Sequence, residues 1–188
     1  LAMRVNYVGE LGWELHIPVE HVASIYDLLF EAGEEFGIAD FGLYAMDSLR
    51  LEKCYRSWKQ DLTTDYTPFM ASLDRFVKLD KAGGFIGQEP LRKEAVTGPK
   101  ERFVPLIVDA DDADASAVSA VYLGDEVVGI VTSGGFGYRI GKSIALAYIR
   151  TDLAVEGQEL TIGILGEKRK AVVGVEPLYD PANARLRG

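Results

Sequence analysis

The sequence is poor in cysteine and in basic residues, and each shortage argues against a class of protein. Its single cysteine, Cys54, cannot form an internal disulfide, so no oxidising compartment is required and the cytoplasm is the expected location. Lysine and arginine total 20 against 29 acidic residues, and the net charge of −9 argues against a nucleic-acid partner. No run approaches the roughly 20 apolar residues of a membrane span, so no membrane partner is expected.

Motifs for metals and nucleotides are also missing. His16 and His21 lie apart from any cysteine, and the acidic run 109–114 lacks the glycine and glutamate of a calcium loop, so no metal is expected. Residues 141–143, Gly-Lys-Ser, resemble the end of a phosphate-binding loop but precede a strand-like stretch instead of a helix. Cys54 falls on an apolar helix face, which predicts a buried, unreactive thiol.

What the sequence does contain is the composition of a folded protein. Of its 188 residues, 48% are hydrophobic and 26% charged, enough for a real core in one or two domains. The predicted secondary structure changes from mixed helix and strand to mainly strand near residue 99. Residues 96–100 are typical of a linker, so we expect domains at 1–98 and 99–188. Leu1-Ala2 leads straight into a strand-like run, and we expect a piece of a longer polypeptide.

The first portion shows both helical and strand periodicity. Two extended runs flank the glycines of 9–12 and predict a hairpin, and apolar residues at three- and four-residue spacing predict a helix after it. A second helix, a strand and a short helix after Gly87 should follow. The predicted bounds are 3–8 and 13–17 for the hairpin, 19–36 and 43–55 for the helices, and 75–79 for the strand.

Beyond Lys100, short apolar stretches alternate with turns rich in glycine and aspartate. They predict six strands, which indicate a small antiparallel barrel or sandwich. The fold class is therefore α+β, with these strands at 102–108, 120–123, 127–132, 143–149, 159–164 and 169–175.

An acid and a base lie within the apolar face of the second helix. At 100° per residue, Asp47 and Arg50 share that face with Leu43, Met46 and Cys54. Burial of two charges is costly unless they are paired or hold a ligand. A structural salt bridge and a binding site are both open interpretations, and the two roles are compatible.

Four segments, taken in order, resemble the glycine-cleavage T-protein family of tetrahydrofolate-dependent aminomethyltransferases. They cover nearly the whole chain, and the variants at Met46, Trp58 and 137–142 are most similar to the folate-binding portion of dimethylglycine and sarcosine dehydrogenases. The segments are Tyr-Val-Gly-Glu-Leu-Gly-Trp-Glu-Leu at 7–15, Ala-Met-Asp-Ser-Leu-Arg-Leu-Glu at 45–52, Phe-Ile-Gly-Gln-Glu-Pro-Leu at 85–91, and Val-Thr-Ser-Gly-Gly at 131–135 with Gly-Lys-Ser-Ile-Ala-Leu at 141–146.

The resemblance implies the carboxy-terminal half of an aminomethyltransferase folate-binding fold, completed by the amino-terminal half of a parent chain and followed by a small barrel. It also implies a folate pocket. A carboxylate such as that of Glu10 accepts two adjacent hydrogen bonds from a pterin, arginine meets the anionic folate tail, and aromatic rings cover the flat rings. The residues so predicted to bind substrate are Glu10, Tyr7, Asp47, Arg50, Tyr55 and Trp58.

Each of these residues also has an ordinary structural interpretation. Glu10 can be a solvated turn acid, and Tyr55 and Trp58 can be core aromatics. Many family members have arginine before the helix aspartate, where this chain has Met46, and Arg139 is the candidate substitute in the folate pocket. The family's catalytic aspartate lies upstream of the Tyr-x-Gly-Glu turn, so no residue of this chain is predicted to be the catalytic acid.

The predicted function is tetrahydrofolate binding in an enzyme that moves a one-carbon unit from an amine such as glycine, sarcosine or dimethylglycine to folate. A parent with a flavin domain would carry the flavin elsewhere, so no FAD is expected to bind here. Two alternatives are a non-catalytic folate-binding regulatory or assembly protein, and a folate-dependent demethylase of the same family.

Overall fold

A closed six-stranded antiparallel barrel forms the second part of the molecule in the computed structural model, which describes residues 1–188. The strands are β3 Glu101–Val108, β4 Ala120–Leu123, β5 Glu126–Gly137, β6 Lys142–Arg150, β7 Glu159–Ile164 and β8 Glu167–Val173. Their order around the barrel is β3-β6-β5-β4-β7-β8, and β3 closes the barrel by pairing with β8. The predicted barrel is confirmed.

The barrel core follows from the two-residue period of its strands. In β7, Leu160, Ile162 and Ile164 are buried and alternate with more exposed positions, as a strand with one inward face requires. Sixteen buried residues make up this core. Because buried apolar area is the main favourable term in folding, the barrel holds most of the packing energy of the chain.

Strand β6 is buried on both faces, which explains its continuous apolar sequence. Ala145, Ala147 and Ile149 point into the barrel core. The alternating residues Ile144, Leu146 and Tyr148 belong to a second cluster of eight buried residues, which also includes Leu51 of the second helix and Cys54. The outer face of β6 is therefore the surface on which the first part of the molecule packs.

A β-bulge interrupts the pairing of β5 with β6. Val131 pairs with Ala147 and Ser133 with Leu146, so Thr132 is an extra residue between them. A bulge allows neighbouring side chains to reach the same side of a strand. Strand β5 also continues to Gly137, five residues beyond its predicted end, because the glycines of 134–137 keep pairing with β6.

Four α-helices accompany the barrel, and none has the length and apolar character needed to cross a bilayer. The first predicted helix is confirmed, with a 3₁₀ turn at each end. The second ends earlier than predicted, because Cys54 has a left-handed φ of 57° that stops the helix. The helices are α1 Val22–Gly33, α2 Leu43–Glu52, α3 Gln88–Thr97 and α4 Ala184–Arg187.

Two strand predictions in the first part need correction. The hairpin pairs only Ala2–Met3 (β1) with Glu14–Leu15 (β2), so most of its predicted length is irregular. The strand predicted at 75–79 is wrong: Asp74–Phe76 forms a 3₁₀ turn, and no strand pairs with it. The Arg75 guanidinium lies 4.7 Å from the centre of the Phe76 ring, an interaction that a strand's alternating side chains would prevent.

No residue of α1 is buried. Val22, Leu28 and Leu29 are 47%, 57% and 43% exposed, although their spacing is that of a core-facing helix. We call this set the α1 apolar face. In this chain nothing covers it.

Candidate functional site

The salt bridge between Asp47 and Arg50, one of the two interpretations left open by the sequence, is present on α2. Arg50 Nε donates to Asp47 Oδ1 at 2.7 Å across one helical turn. The two partners differ in environment, because the Arg50 side chain is 1% exposed and that of Asp47 is 46% exposed. Asp47 thus presents a fixed carboxylate to the surface, while Arg50 lies inside the protein.

Arg50 also pairs with a fully buried acid, because its Nη1 donates to Asp61 Oδ2 at 2.7 Å. Its remaining N–H groups donate to the Tyr55 carbonyl at 3.2 Å and to Ser133 Oγ at 2.9 Å. Asp61 in turn accepts hydrogen bonds from both neighbouring hydroxyls of the β5 bulge, Thr132 at 2.5 Å and Ser133 at 2.7 Å. The bulge therefore brings two consecutive hydroxyls to one carboxylate oxygen.

Asp61 was not among the predicted residues. It lies in a polar loop without hydrophobic periodicity, and nothing local distinguishes it from Asp65. The available signal was indirect: an arginine on an apolar helix face needs a buried counter-charge.

A groove of about 670 Å³ lies between α2 and β5. Asp47 and Ser48 line it from the helix, Phe136 lines it from β5, and Tyr138 lines it from the turn that follows β5. Asp114 also lines the groove, and its carboxylate accepts a hydrogen bond from Ser143 at 2.5 Å. The aspartate-rich run 109–114 thus supplies one residue to the lining of this groove.

Glu10 occupies a turn shaped by the close approach of the chain to Lys53. Gly9 has a φ of 74°, and a Cβ there would lie 2.4 Å from Lys53 Cγ, so glycine is required. Glu10 Oε1 lies 2.8 Å from Arg139 Nη2, and Oε2 lies 3.5 Å from Arg185 Nε. The structure therefore brings together Glu10 and Arg139, two of the predicted site residues.

Aromatic residues join this turn to Arg50. The rings of Tyr7 and Tyr55 stack with centroids 6.4 Å apart and planes 21° apart, and the Tyr7 hydroxyl donates to the Arg56 carbonyl at 3.3 Å. Since Tyr55 also contacts Arg50 through its backbone, a continuous row of contacts links Asp47 to the Glu10 turn. Trp58 is outside this row: it lies on an adjoining loop and is 74% exposed.

A second buried acid, Glu52, supports Arg139. Glu52 is fully buried at the end of α2, and its Oε1 accepts the backbone N–H of Arg139 at 2.6 Å and of Ile140 at 3.1 Å. Its Oε2 accepts no hydrogen bond. The Arg139 guanidinium lies 4.8 Å above the Tyr179 ring, so its position is fixed from several directions. Glu52 is the last residue of the 45–52 motif, but the sequence did not predict a role for it.

The thiol beside this region is not a nucleophile. Cys54 is fully buried, and burial raises the pKa of its thiol to about 12. Burial likewise raises the pKa of the Tyr148 hydroxyl, which donates to the Asp61 carbonyl at 2.8 Å. The prediction that Cys54 is buried is confirmed. Histidine, cysteine and acidic side chains form no group of three or more that could hold a metal ion.

Two family models match the chain in succession. Residues 1–81 match the GCVT N-terminal domain, and residues 101–180 match the glycine cleavage T-protein C-terminal barrel domain. Neither match decides the predicted domain boundary near residue 99, which stays a prediction.

Similar proteins include both dehydrogenases and aminomethyltransferases. The mitochondrial dimethylglycine dehydrogenase of Homo sapiens is 41% identical over 99% of this chain and 22% of its own length. The aminomethyltransferase of Shouchella clausii (strain KSM-K16) is 34% identical over 95% of this chain and 48% of its own. This chain therefore spans about a fifth of the first and half of the second.

A solved structure has the same architecture. The glycine cleavage system aminomethyltransferase T from Bartonella henselae superposes with a TM-score of 0.87 at 28% identity, covering 95% of this chain and 49% of that one. The similarity extends over both parts of the molecule, including the α+β portion and the barrel.

Proposed function

Because the chain belongs to the glycine-cleavage T-protein family, we propose that it is the tetrahydrofolate-binding part of an aminomethyltransferase-type enzyme. In such an enzyme, the pterin nitrogens of tetrahydrofolate capture a one-carbon unit that leaves an amine, and methylene-tetrahydrofolate is the product. Tetrahydrofolate is the acceptor substrate, and a small amine is the donor.

The observation that carries this proposal is the carboxylate of Glu10, held at a rigid turn beside stacked tyrosines. A pterin presents an amino-pyrimidinone edge with two adjacent N–H donors, and an ionised carboxylate can accept both. The Tyr7 and Tyr55 rings lie next to this turn and offer flat apolar surface to a ring system. Glu10 would orient the pterin, and the tyrosines would cover it.

Asp47 and Arg50 act in this proposal as one unit. All of the Arg50 contacts are with protein groups, so its predicted role in binding passes to Asp47, whose carboxylate it fixes in the α2–β5 groove. The groove and the Glu10 turn lie at opposite ends of the row of contacts described above. Trp58 stays a predicted contact on the exposed loop.

The contribution of this chain to the reaction is orientation. Holding a pterin against the transferred carbon replaces a bimolecular encounter by a positioned one, which lowers the activation barrier. No side chain described here is assigned as the acid or base that moves the proton. We assign no flavin to these residues, and any oxidation of a methylated amine is left to another part of a larger protein.

The α1 apolar face indicates a further partner within the same fold. The aminomethyltransferase relatives are about twice as long as the matched region. We propose that a segment equivalent to their remaining part packs on this face, because contiguous apolar surface usually marks a contact. We also propose the cytoplasm as the compartment, since one buried thiol needs no oxidising surroundings; the dehydrogenase relatives are named as mitochondrial.

Calorimetric titration of tetrahydrofolate under anaerobic conditions tests the proposal. It is applied to this chain and to any longer natural protein that contains it, with Glu10→Gln and, as the matched control on the same hairpin, exposed Glu14→Gln. We expect saturable binding that weakens at least about tenfold in Glu10→Gln, because two charge-assisted hydrogen bonds are lost.

Absence of binding to folded protein, or equal loss in both variants, would refute the pocket assignment. If binding is present, product analysis of a longer natural protein that contains this chain separates the alternatives. Methylene-folate supports aminomethyl transfer, whereas methyl-folate identifies a demethylase and no product identifies a binding protein.

A further inference from the structure

The two oxygens of Glu10 face two arginines of very different character. Arg139 comes from the β5–β6 turn, and its side chain is 25% exposed. Arg185 comes from the short helix α4, and its side chain is 64% exposed. The Arg139 contact with Oε1 is 2.8 Å, whereas the Arg185 contact with Oε2 is 3.5 Å.

Arg139 cannot leave its place without disturbing several contacts. Its backbone N–H donates to buried Glu52, its guanidinium stacks on Tyr179, and its Nε lies 3.9 Å from the unbonded Oε2 of Glu52. Glu52 is fully buried, and a buried carboxylate needs a nearby cation. Arg139 is thus shared between Glu52 on one side and Glu10 on the other.

Glu10 itself has acceptor capacity to spare. Its Oε1 is buried and close to Arg139, but the geometry satisfies no hydrogen bond. A carboxylate offers about four acceptor positions, so one immobilised oxygen still leaves room for donors from a ligand. Oε2 faces only the exposed Arg185, whose Nε is 3.5 Å away, and exposed ion pairs of this kind are weak.

We propose that Arg139 is a positioning residue that fixes the Glu10 carboxylate, and that Arg185 is an exchangeable partner which the amino-pyrimidinone edge of a pterin displaces. This inference rests on the proposed function, since it names how the same site receives its ligand. Arg139 sets the plane of the carboxylate. Arg185 neutralises the outer oxygen until two ligand N–H groups replace it.

The two arginines then have opposite effects on one equilibrium. Loss of Arg139 removes the orientation of Glu10 and weakens folate binding. Loss of Arg185 removes a competitor and leaves binding equal or tighter. If both arginines were direct contacts for the folate tail, both losses would weaken binding.

The first test measures tetrahydrofolate dissociation constants for Arg139→Gln, Arg139→Lys and Arg185→Gln, with urea unfolding of each to establish folding. We expect Arg139→Gln to weaken binding roughly tenfold. Arg139→Lys, which keeps the charge but loses the planar fork, should recover part of the loss. Arg185→Gln should bind as tightly as the unchanged chain or up to a few-fold tighter. Equal weakening in both glutamine variants would overturn the proposal.

A second test needs no folate and separates this proposal from the folate assignment. Double-mutant cycles on the urea midpoint compare the coupling of Glu10 with Arg139 to that of Glu10 with Arg185. We expect clear coupling in the first cycle and none in the second. If the first cycle shows none, the positioning role fails even where folate binds; if the coupling is present but the unchanged chain binds no folate, the proposed function fails and the role of Arg185 falls with it.

Discussion

Residues 1–47 and the barrel contain similar apolar patterns but bury them very differently. Within 1–47 only Gly9 is buried, whereas the barrel core alone contains sixteen buried residues. Helix α1 and the barrel strands both have the local structure that their periodicity predicts. The difference shows that periodicity identifies the apolar face of an element. It does not show whether another part of this chain packs against that face.

The largest expected effect lies at the junction of the two regions. Asp61→Asn removes the buried counter-charge of the Arg50 guanidinium and leaves only the half-exposed carboxylate of Asp47, and we expect a loss of about 3–5 kcal/mol in the free energy of unfolding. Asp74→Asn, which breaks the exposed pair with Arg102, is the matched control and should cost less than about 1 kcal/mol. Urea unfolding followed by circular dichroism measures both. Similar losses would mean that the junction is not held by this charge pair.

Leucine truncation compares the two regions directly. Leu106 is fully buried in the barrel and Leu28 is 57% exposed on α1. We expect Leu106→Ala to cost about 2–5 kcal/mol through the cavity it leaves, and Leu28→Ala to change stability by no more than about 0.5 kcal/mol. Chemical denaturation checks both values. A large loss for Leu28→Ala would show that the α1 apolar face is covered in solution.

Alkaline pH weakens the cluster between the regions through Cys54. Its thiol pKa rises from 9.0 to about 12 on burial, so between these values the unfolded chain releases a proton that the folded chain retains. This contribution is constant below pH 9. Above it, stability falls by about 1.4 kcal/mol per pH unit from this group.

The measurement is the free energy of unfolding against pH for the unchanged chain and for Cys54→Ala. The variant should be less stable at neutral pH, because a buried side chain is lost, but its slope above pH 9 should be shallower. Parallel curves would rule out the thiol as a source of the alkaline loss.

The smallest effect on stability comes from the α1 apolar face. We expect the chain to associate as its concentration rises, because contiguous exposed apolar surface favours self-contact. Leu28→Gln should reduce the association constant with little change in unfolding, whereas Val127→Gln, exposed on the barrel, should leave it unchanged. Sedimentation velocity across a concentration series measures this. Equal association in both variants would place the contact elsewhere.

The barrel was predictable because its signals are local. Short stretches such as 159–164 alternate with period two, and glycine and aspartate mark the turns between them. The predicted end of α2 was too late because Cys54 adopts a left-handed backbone conformation. Cysteine rarely adopts that conformation, so the sequence gives no sign of it. The strand predicted at 75–79 failed because a strand needs a partner, which propensity does not supply.

For the site, the sequence could predict the pair on α2 but not what supports it. Asp47 and Arg50 lie one helical turn apart, so their contact is local. Asp61 and Glu52 become important only through residues of β5 and the β5–β6 turn, which are far away in sequence. Arg139 was predicted as a substitute for the arginine missing at Met46; its contact with Glu10 depends on the way the turn packs against the carboxyl-terminal segment.

The bulge in β5 makes that strand intolerant of a change in length. Thr132 is the residue in excess over β6, and it allows both its own hydroxyl and that of Ser133 to reach Asp61. Deletion of one residue there would restore regular pairing and turn one hydroxyl to the opposite face, since successive side chains alternate along a strand. Insertions and deletions near Thr132 should therefore be eliminated first in a library of length variants.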